Sequence, residues 1–179
     1  MHDFNWQPVL SGSTLKLRPL TDSDLENMFL AASDPGIWAG HPASDRHERP
    51  VFKAYFAARL ATAKALTITD SDSGQIVGMS SYYVPPDLPE GIAIGYTFLV
   101  RAKWGGDANR ELKDLMLAHA FKSYDTVYFH IAPTNIRSQK AALKIGATYL
   151  YDAELQLSAV PALCQCYGLK RTQWAGSTD

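Results

Sequence analysis

The stretch I-A-I-G-Y-T-F-L-V-R-A-K-W-G-G-D-A-N, Ile92–Asn109, decides how this chain folds. Its first half alternates as a strand does, with Ile92, Ile94, Tyr96 and Phe98 predicted on one face and Ala93, Gly95, Thr97 and Leu99 on the other. It then enters a glycine-containing loop, and Asn109 opens a strongly helical run. A loop that meets a helix in this way presents free backbone N–H groups at the positive end of the helix dipole. Such a place suits an anion, most often a phosphate, although an ordinary strand–turn–helix gives the same letters.

Downstream, the run from Asn109 to about Ser123 carries Leu112, Leu115, Met116, Leu117 and Phe121 around most of its circumference, which predicts a buried helix. Thr126–Ile131 alternates again, with Val127, Phe129 and Ile131 on one side and Tyr128 and His130 on the other. Asn135 suits the N-cap of a helix through Ile145, and Gly146 its stop. Strands near Thr148–Ala153 and Cys164–Arg171 follow, and Gly176–Asp179 is expected to be loose.

Upstream, Pro85, Pro86 and Pro89 separate the central strand from one near Gln75–Tyr83, itself preceded by the turn Asp72-Ser73-Gly74 and a strand around Leu66 and Ile68. Leu15–Arg18 is a short strand ended by Pro19. Thr21–Asp24 has a capping-box pattern before a stripe of Leu25, Met28, Phe29 and Ala32, which Asp34-Pro35-Gly36 ends. The loop Ile37–Arg49 is dense in Trp38, His41, Pro42, Asp45, Arg46, His47 and Glu48. Pro50 then starts a second helix along Phe52, Tyr55, Phe56 and Leu60. The order βααβββαβαββ predicts a mixed α/β fold, with a largely antiparallel sheet of about seven strands, four helices and one crossover.

With 179 residues and neither an internal repeat nor a linker, the whole chain, 1–179, is expected to form one domain. Its composition, 46% hydrophobic and 20% charged, is that of a globular protein. A net charge of −1 argues against a nucleic-acid surface. No apolar run reaches the roughly 20 residues of a membrane helix, and Met1–Leu10 lacks a signal-peptide pattern. Cys164 and Cys166 share one strand face, poorly placed to bridge each other, and two sulfurs alone make no metal site. A cytoplasmic chain with reduced thiols and no metal is therefore expected.

Three segments together resemble the GNAT superfamily of N-acetyltransferases, in its RimJ/RimL-like branch. They are L-x-G-x-x-L-x-L-R-P-L at Leu10–Leu20, I-G-Y-T-F-L-x-R-x-x-W-G-G-x-x-N-x-E-L-K at Ile94–Lys113, and N-x-R-S-x-x-A-x-x-x-x-G-A at Asn135–Ala147. Each is weak alone; the three in order, on the expected elements, are specific. The resemblance spans Leu10 to Trp174 and implies a GNAT fold whose central strand pair splays apart. It implies acetyl-CoA as co-substrate, with the pantetheine arm lying in the splay against the backbone of Phe98, Leu99 and Val100. The turn Arg101–Asn109, including Trp104, Gly105, Gly106, Asp107 and Ala108, would wrap the pyrophosphate. Arg101, Lys103 and Arg110 would add charge there or be solvated surface cations. Asn135 matches an asparagine that contacts pantetheine, a position its capping role explains equally well. One departure stands out. Relatives carry glycine or alanine where this chain has Asp107, and a carboxylate beside a pyrophosphate costs about 1 kcal/mol if solvated. Either Asp107 turns outward as a first-turn helix charge, the favoured reading, or coenzyme A binds weakly.

The reaction so implied is attack of a primary amine, a peptide N-terminus or a small molecule, on the acetyl thioester. A backbone N–H near Leu99 would polarise the carbonyl. Many relatives protonate the departing sulfur with a tyrosine, and here that position is Ala142; Ser138 matches the serine that RimL-like enzymes offer instead. For the base the candidates are Glu90, His130, and His41 or Asp45, with a water chain as the remaining choice. Trp38, His41, Asp45 and Arg46 lie in the loop that faces the acceptor in relatives. The resemblance leaves monomer or homodimer open. A catalytically silent coenzyme-A-binding module is the competing reading, since Asp107, Ala93 and Ala142 depart from the family pattern. A nucleotide-binding loop at Trp104-Gly105-Gly106 is weaker, because no G-x-x-x-x-G-K-[ST] follows a strand.

Overall fold

Period-two alternation yields eight strands in the computed structural model, which describes residues 4–174. They are β1 (Leu10–Ser11), β2 (Leu15–Pro19), β3 (Ala65–Asp70), β4 (Ile76–Tyr83), β5 (Ile92–Leu99), β6 (Thr126–Ile131), β7 (Thr148–Leu155) and β8 (Ala162–Lys170). The α-helices are α1 (Leu25–Ala32), α2 (Pro35–Trp38), α3 (Arg49–Ala61), α4 (Ala108–Ala120) and α5 (Ile136–Lys144). The expected loose tail Gly176–Asp179 lies outside the described residues. Among the described residues no helix is long and apolar enough to cross a membrane.

All strands join one sheet in the order β1-β2-β3-β4-β5-β6-β8-β7. Every neighbouring pair is antiparallel except β5 and β6, which run parallel. The mixed, mostly antiparallel sheet is the expected one, with two additions. β1 is two residues long, too short to leave an alternation, and α2 is a single turn. Asp34 caps α2 by accepting from the Gly36 N–H at 2.8 Å, and Pro35 occupies its first turn. The Asp-Pro-Gly that reads as a helix end is thus also a helix start.

Each face of the sheet buries its own core. On one face Leu112, Met116, Leu117 and Ala120 of α4 pack against Ile92, Ile94, Leu99, Val127, Phe129 and Ile131. On the other, Met28, Ile37, Trp38, Phe52 and Phe56 cover Met79 and Phe98. The predicted faces of β5 need correcting here. Ile92 and Ile94 share the α4 core with Leu99, whereas Phe98 lies in the opposite core. The cause is a bulge: Met79 pairs with Phe98 and Ser81 with Gly95, so three residue steps on β5 oppose two on β4. Tyr96 takes up the extra residue at φ 54°, a left-handed conformation uncommon for a tyrosine. The bulge reverses the alternation beyond it and bends the strand. β5 and β6 pair only at Ile92↔Val127 and Ala93↔Tyr128, so their later residues diverge. This is the expected splay.

Candidate active site

The gap between the diverging strands opens into a cavity of about 660 Å³. Its walls include Ile94–Leu99 of β5, Phe129–Ile131 of β6, Trp104, Gly105 and Asn109 at the start of α4, Asn135 and Ser138 of α5, and Trp38, His41 and Arg46 from the α2–α3 region.

At the α4 end, the N–H groups of Gly105 through Arg110 have no protein acceptor among the described residues; Glu111 N–H is the first to close a turn, on Asp107 O at 2.8 Å. Gly105, at φ 73°, supplies the left-handed step that the turn requires. These N–H groups lie at the N-terminus of a thirteen-residue helix, where the helix dipole favours negative charge. Asp107 does not obstruct them. The residue occupies the N-cap, makes no side-chain cap bond, is exposed, and is not among the cavity-lining residues. The cations expected nearby are held elsewhere: Arg101 by Asp34 at 2.5 Å, Lys103 by Asp70 at 2.5 Å, Arg110 by Asp114 at 3.7 Å. Arg137 takes their place beside the loop, donating to Ile37 O at 2.9 Å and stacking 4.1 Å over the Trp104 ring.

Of the backbone groups expected to face the gap, Val100 does not, because its N–H donates to Val77 O on the β4 side at 2.9 Å. Strand alternation then turns the Leu99 N–H and C=O toward the open edge, and the Phe98 pair back toward β4. Leu99 O indeed accepts from Trp104 Nε1 at 2.9 Å, away from β4. Leu99 N–H is therefore the donor at the edge of the splay, while Phe98 contributes its ring to the cavity wall.

The His130 side chain is buried and bonded at Nδ1 to the Tyr83 hydroxyl at 2.8 Å. Its Nε2 faces Asp87 Oδ1 at 3.4 Å, and Tyr151 donates to Asp87 Oδ2 at 2.7 Å. Register explains the cluster: His130 pairs with Cys166, and Cys166 with Tyr151, a row across β6, β8 and β7 with Asp87 over it. Burial lowers the His130 pKa, and Asp87 partly restores it. Asp87, His130 and Cys166 also bring possible ligand atoms within 4.8 Å of one another. Burial pushes the Cys166 thiol up. On the α4 face, Lys113 Nζ donates to Thr97 Oγ1 at 3.3 Å, and burial lowers its pKa to about 8.

In the α2–α3 region, Trp38 is anchored by its indole N–H on Ala32 O at 2.8 Å and packs 5.3 Å from Phe98. His41 Nδ1 accepts from Ala43 N–H at 2.9 Å; burial, then Arg46 and Arg137, lower its pKa to about 4. Arg46 stacks 4.0 Å over the Tyr55 ring. Ser138 reaches the cavity from the first turn of α5, where Asn135 Oδ1 accepts its N–H at 3.2 Å.

Of the residues singled out from sequence, the fold thus gathers Trp38, His41, Arg46, Phe98, Leu99, Trp104, Gly105, Asn109, His130, Asn135 and Ser138 on one cavity. It does not bring Glu90, Asp45, Val100, Arg101, Gly106, Asp107 or Ala108 to the wall. Glu90 is exposed and precedes the paired end of β5, opposite the splay. Asp45 is exposed, with its backbone carbonyl accepting from Glu48 N–H at 2.9 Å. Sequence reasoning missed Tyr83 and Asp87, which belong to no motif; the prolines around Asp87 read only as breakers. Arg137 was inside the quoted N-x-R-S segment.

Solved structures share this fold. A GCN5-related N-acetyltransferase from Brucella melitensis superposes with a TM-score of 0.79 at 15% identity, covering 94% of this chain and 80% of that one. The acetyltransferase from Agrobacterium tumefaciens str. C58 gives 0.67 at 22% identity over 92% and 95%. Mycobacterium smegmatis RimJ in complex with CoA-disulfide gives 0.69 at 14% over 94% and 90%. At these identities the likeness is one of fold. No curated protein sequence matches the chain. Residues 14–148 match the acetyltransferase (GNAT) domain model, so the chain belongs to the GNAT family and is an N-acetyltransferase.

Proposed function

We propose that residues 1–179 act as one transferase domain, moving an acetyl group from acetyl-CoA to a primary amine by direct attack in a ternary complex. One cavity lined both by Gly105 and Asn109 of the turn before α4 and by the hydrogen-bonded Tyr83–His130 pair supports this reading. Free N–H groups at a helix start and an unpaired strand edge are what a diphosphate and an amide-bearing arm require. Acetyl-CoA, when bound, supplies an acyl group activated as a thioester. The Gly105–Arg110 amides and the α4 dipole hold the anionic end, and Leu99 N–H polarises a carbonyl placed at the strand edge.

The proton route runs through Tyr83. With Nε2–H toward Asp87, the lone pair of His130 Nδ1 faces the Tyr83 hydroxyl. As the amine gives its proton to Tyr83 Oη, the phenolic proton passes to Nδ1, and Asp87 stabilises the imidazolium. Ser138, whose hydroxyl has no protein partner among the described residues, holds a proton for the departing sulfur from the α5 side.

An acceptor panel that follows both thiol release and acetylated product tests this. Turnover is expected, with Tyr83→Phe and His130→Gln lowering kcat by about 100-fold while acetyl-CoA KM stays within about twofold. Saturable binding of acetyl-CoA without turnover on any amine would instead make the chain a silent binding module.

A further inference from the structure

The arginines of this chain fall into two groups. Arg18, Arg49, Arg101, Arg110 and Arg171 each pair with an aspartate or glutamate. Arg46, Arg59 and Arg137 have no carboxylate partner among the described residues, and they gather at the cavity. Arg46 and Arg137 line it, and Arg59 lies 3.8 Å over the ring of Tyr96, which lines it too. Lys113 adds a further cation, whereas no aspartate or glutamate is among the lining residues. The wall carries positive charge without an internal counter-charge.

These cations divide by position. Arg137, stacked on Trp104, belongs to the end where the α4 amides wait for a diphosphate. Arg46 belongs to the α2–α3 region. Its guanidinium lies 4.0 Å over the Tyr55 ring and 5.5 Å from the Trp38 ring centre, and makes no hydrogen bond among the described residues. Stacking fixes the plane of a guanidinium and leaves its rim, where all the N–H donors point, for an oxyanion. Burial lowers the Arg46 pKa, with Arg59 adding to the effect and Tyr55, Tyr96 and the neighbouring Asp45 only partly opposing it. Arg46 stays charged at neutral pH nonetheless. Removing such a charge from water without a partner is unfavourable, and a ligand carboxylate or phosphate reverses that cost.

Building on the transferase reading, we infer that the acceptor is a small amine that carries its own oxyanion, a carboxylate or a phosphate, and that Arg46 grips this group and orients the amine. Acceptors that are only cationic, such as polyamines, meet like charge instead and are disfavoured.

Matched acceptor pairs test this with the intact protein: an amino acid against its amide, and phosphoethanolamine against ethanolamine, compared per unprotonated amine, with spermidine as the cationic control. At least one anionic member is expected to exceed its neutral twin by about tenfold or more in kcat/KM. The pair with the larger ratio tells carboxylate from phosphate. Arg46→Gln is expected to abolish that preference through acceptor KM while leaving acetyl-CoA KM within about twofold, and Arg46→Lys to restore only part of it. If Arg46→Gln does not fold, the wild-type pairs still decide. Equal transfer to neutral and anionic twins, or an Arg46→Gln effect confined to acetyl-CoA affinity, overturns the inference and leaves the transferase standing. Absence of transfer to every acceptor overturns both.

Discussion

A Cβ added at Gly95 would lie 2.9 Å from Tyr83 Cε1, so only glycine lets the Tyr83 ring cross β5 and reach His130. Gly95→Ala is therefore expected to cost activity much as Tyr83→Phe does, with a stability loss of about 1–3 kcal/mol, checked by kinetics and urea unfolding side by side. Ser138→Ala should slow turnover far more than it weakens acetyl-CoA binding; equal turnover would remove Ser138 from the mechanism. The pH profile separates the relay from other bases. Burial holds His130 below the ordinary histidine value of 6.5 and Asp87 raises it, so the acid limb of kcat/KM should fall below pH 6.5. Asp87→Asn should move that limb lower still. Ser138, Asn135 and Trp104 were legible from sequence because each belongs to a short segment whose spacing survives folding. Tyr83 and Asp87 were not, since the contacts with His130 join residues more than forty positions apart.

The alternation that reveals β5 as a strand conceals its bulge, because one inserted residue leaves apolar letters on both sides of the phase change. What holds the bulge is tertiary: the Tyr55 hydroxyl donates to Tyr96 O at 3.2 Å, and Tyr96 donates to Leu157 O at 2.7 Å. No local pattern announces either bond. The turn before α4 is the opposite case, with its glycines in plain view. Gly105 has positive φ and open space where a side chain would go, so Gly105→Ala should cost about 1 kcal/mol by conformation alone. Gly106→Ala, equally open and without positive φ, should be close to neutral. Thermal unfolding of the two variants checks the contrast. The partners of that turn's cations left no local signal, because Asp34 and Asp70, which pair with Arg101 and Lys103, come from distant elements.

Over the whole molecule, a sheet with one parallel pair leaves one edge unzipped, and both the start of α4 and the α2–α3 region face that opening. Strand order was legible as a class of fold, whereas β1 and α2 were too short to register. The charge balance also has a global consequence. His41, lowered from 6.5 to about 4, and His130, also lowered, bind protons less tightly when folded. Unfolding then takes up protons between pH 6.5 and 4, and stability falls as pH drops through that window. His41 should contribute roughly 1–3 kcal/mol of that loss, and His41→Gln should flatten the dependence of the urea midpoint on pH. A crystal structure with coenzyme A bound tests whether the cofactor lies in the gap between β5 and β6. Diphosphate density is expected within hydrogen-bond reach of the Gly105–Asn109 amides, with the sulfur beside Leu99, between β5 and β6. Density elsewhere, or β5 and β6 zipped together with the coenzyme outside them, would contradict that placement.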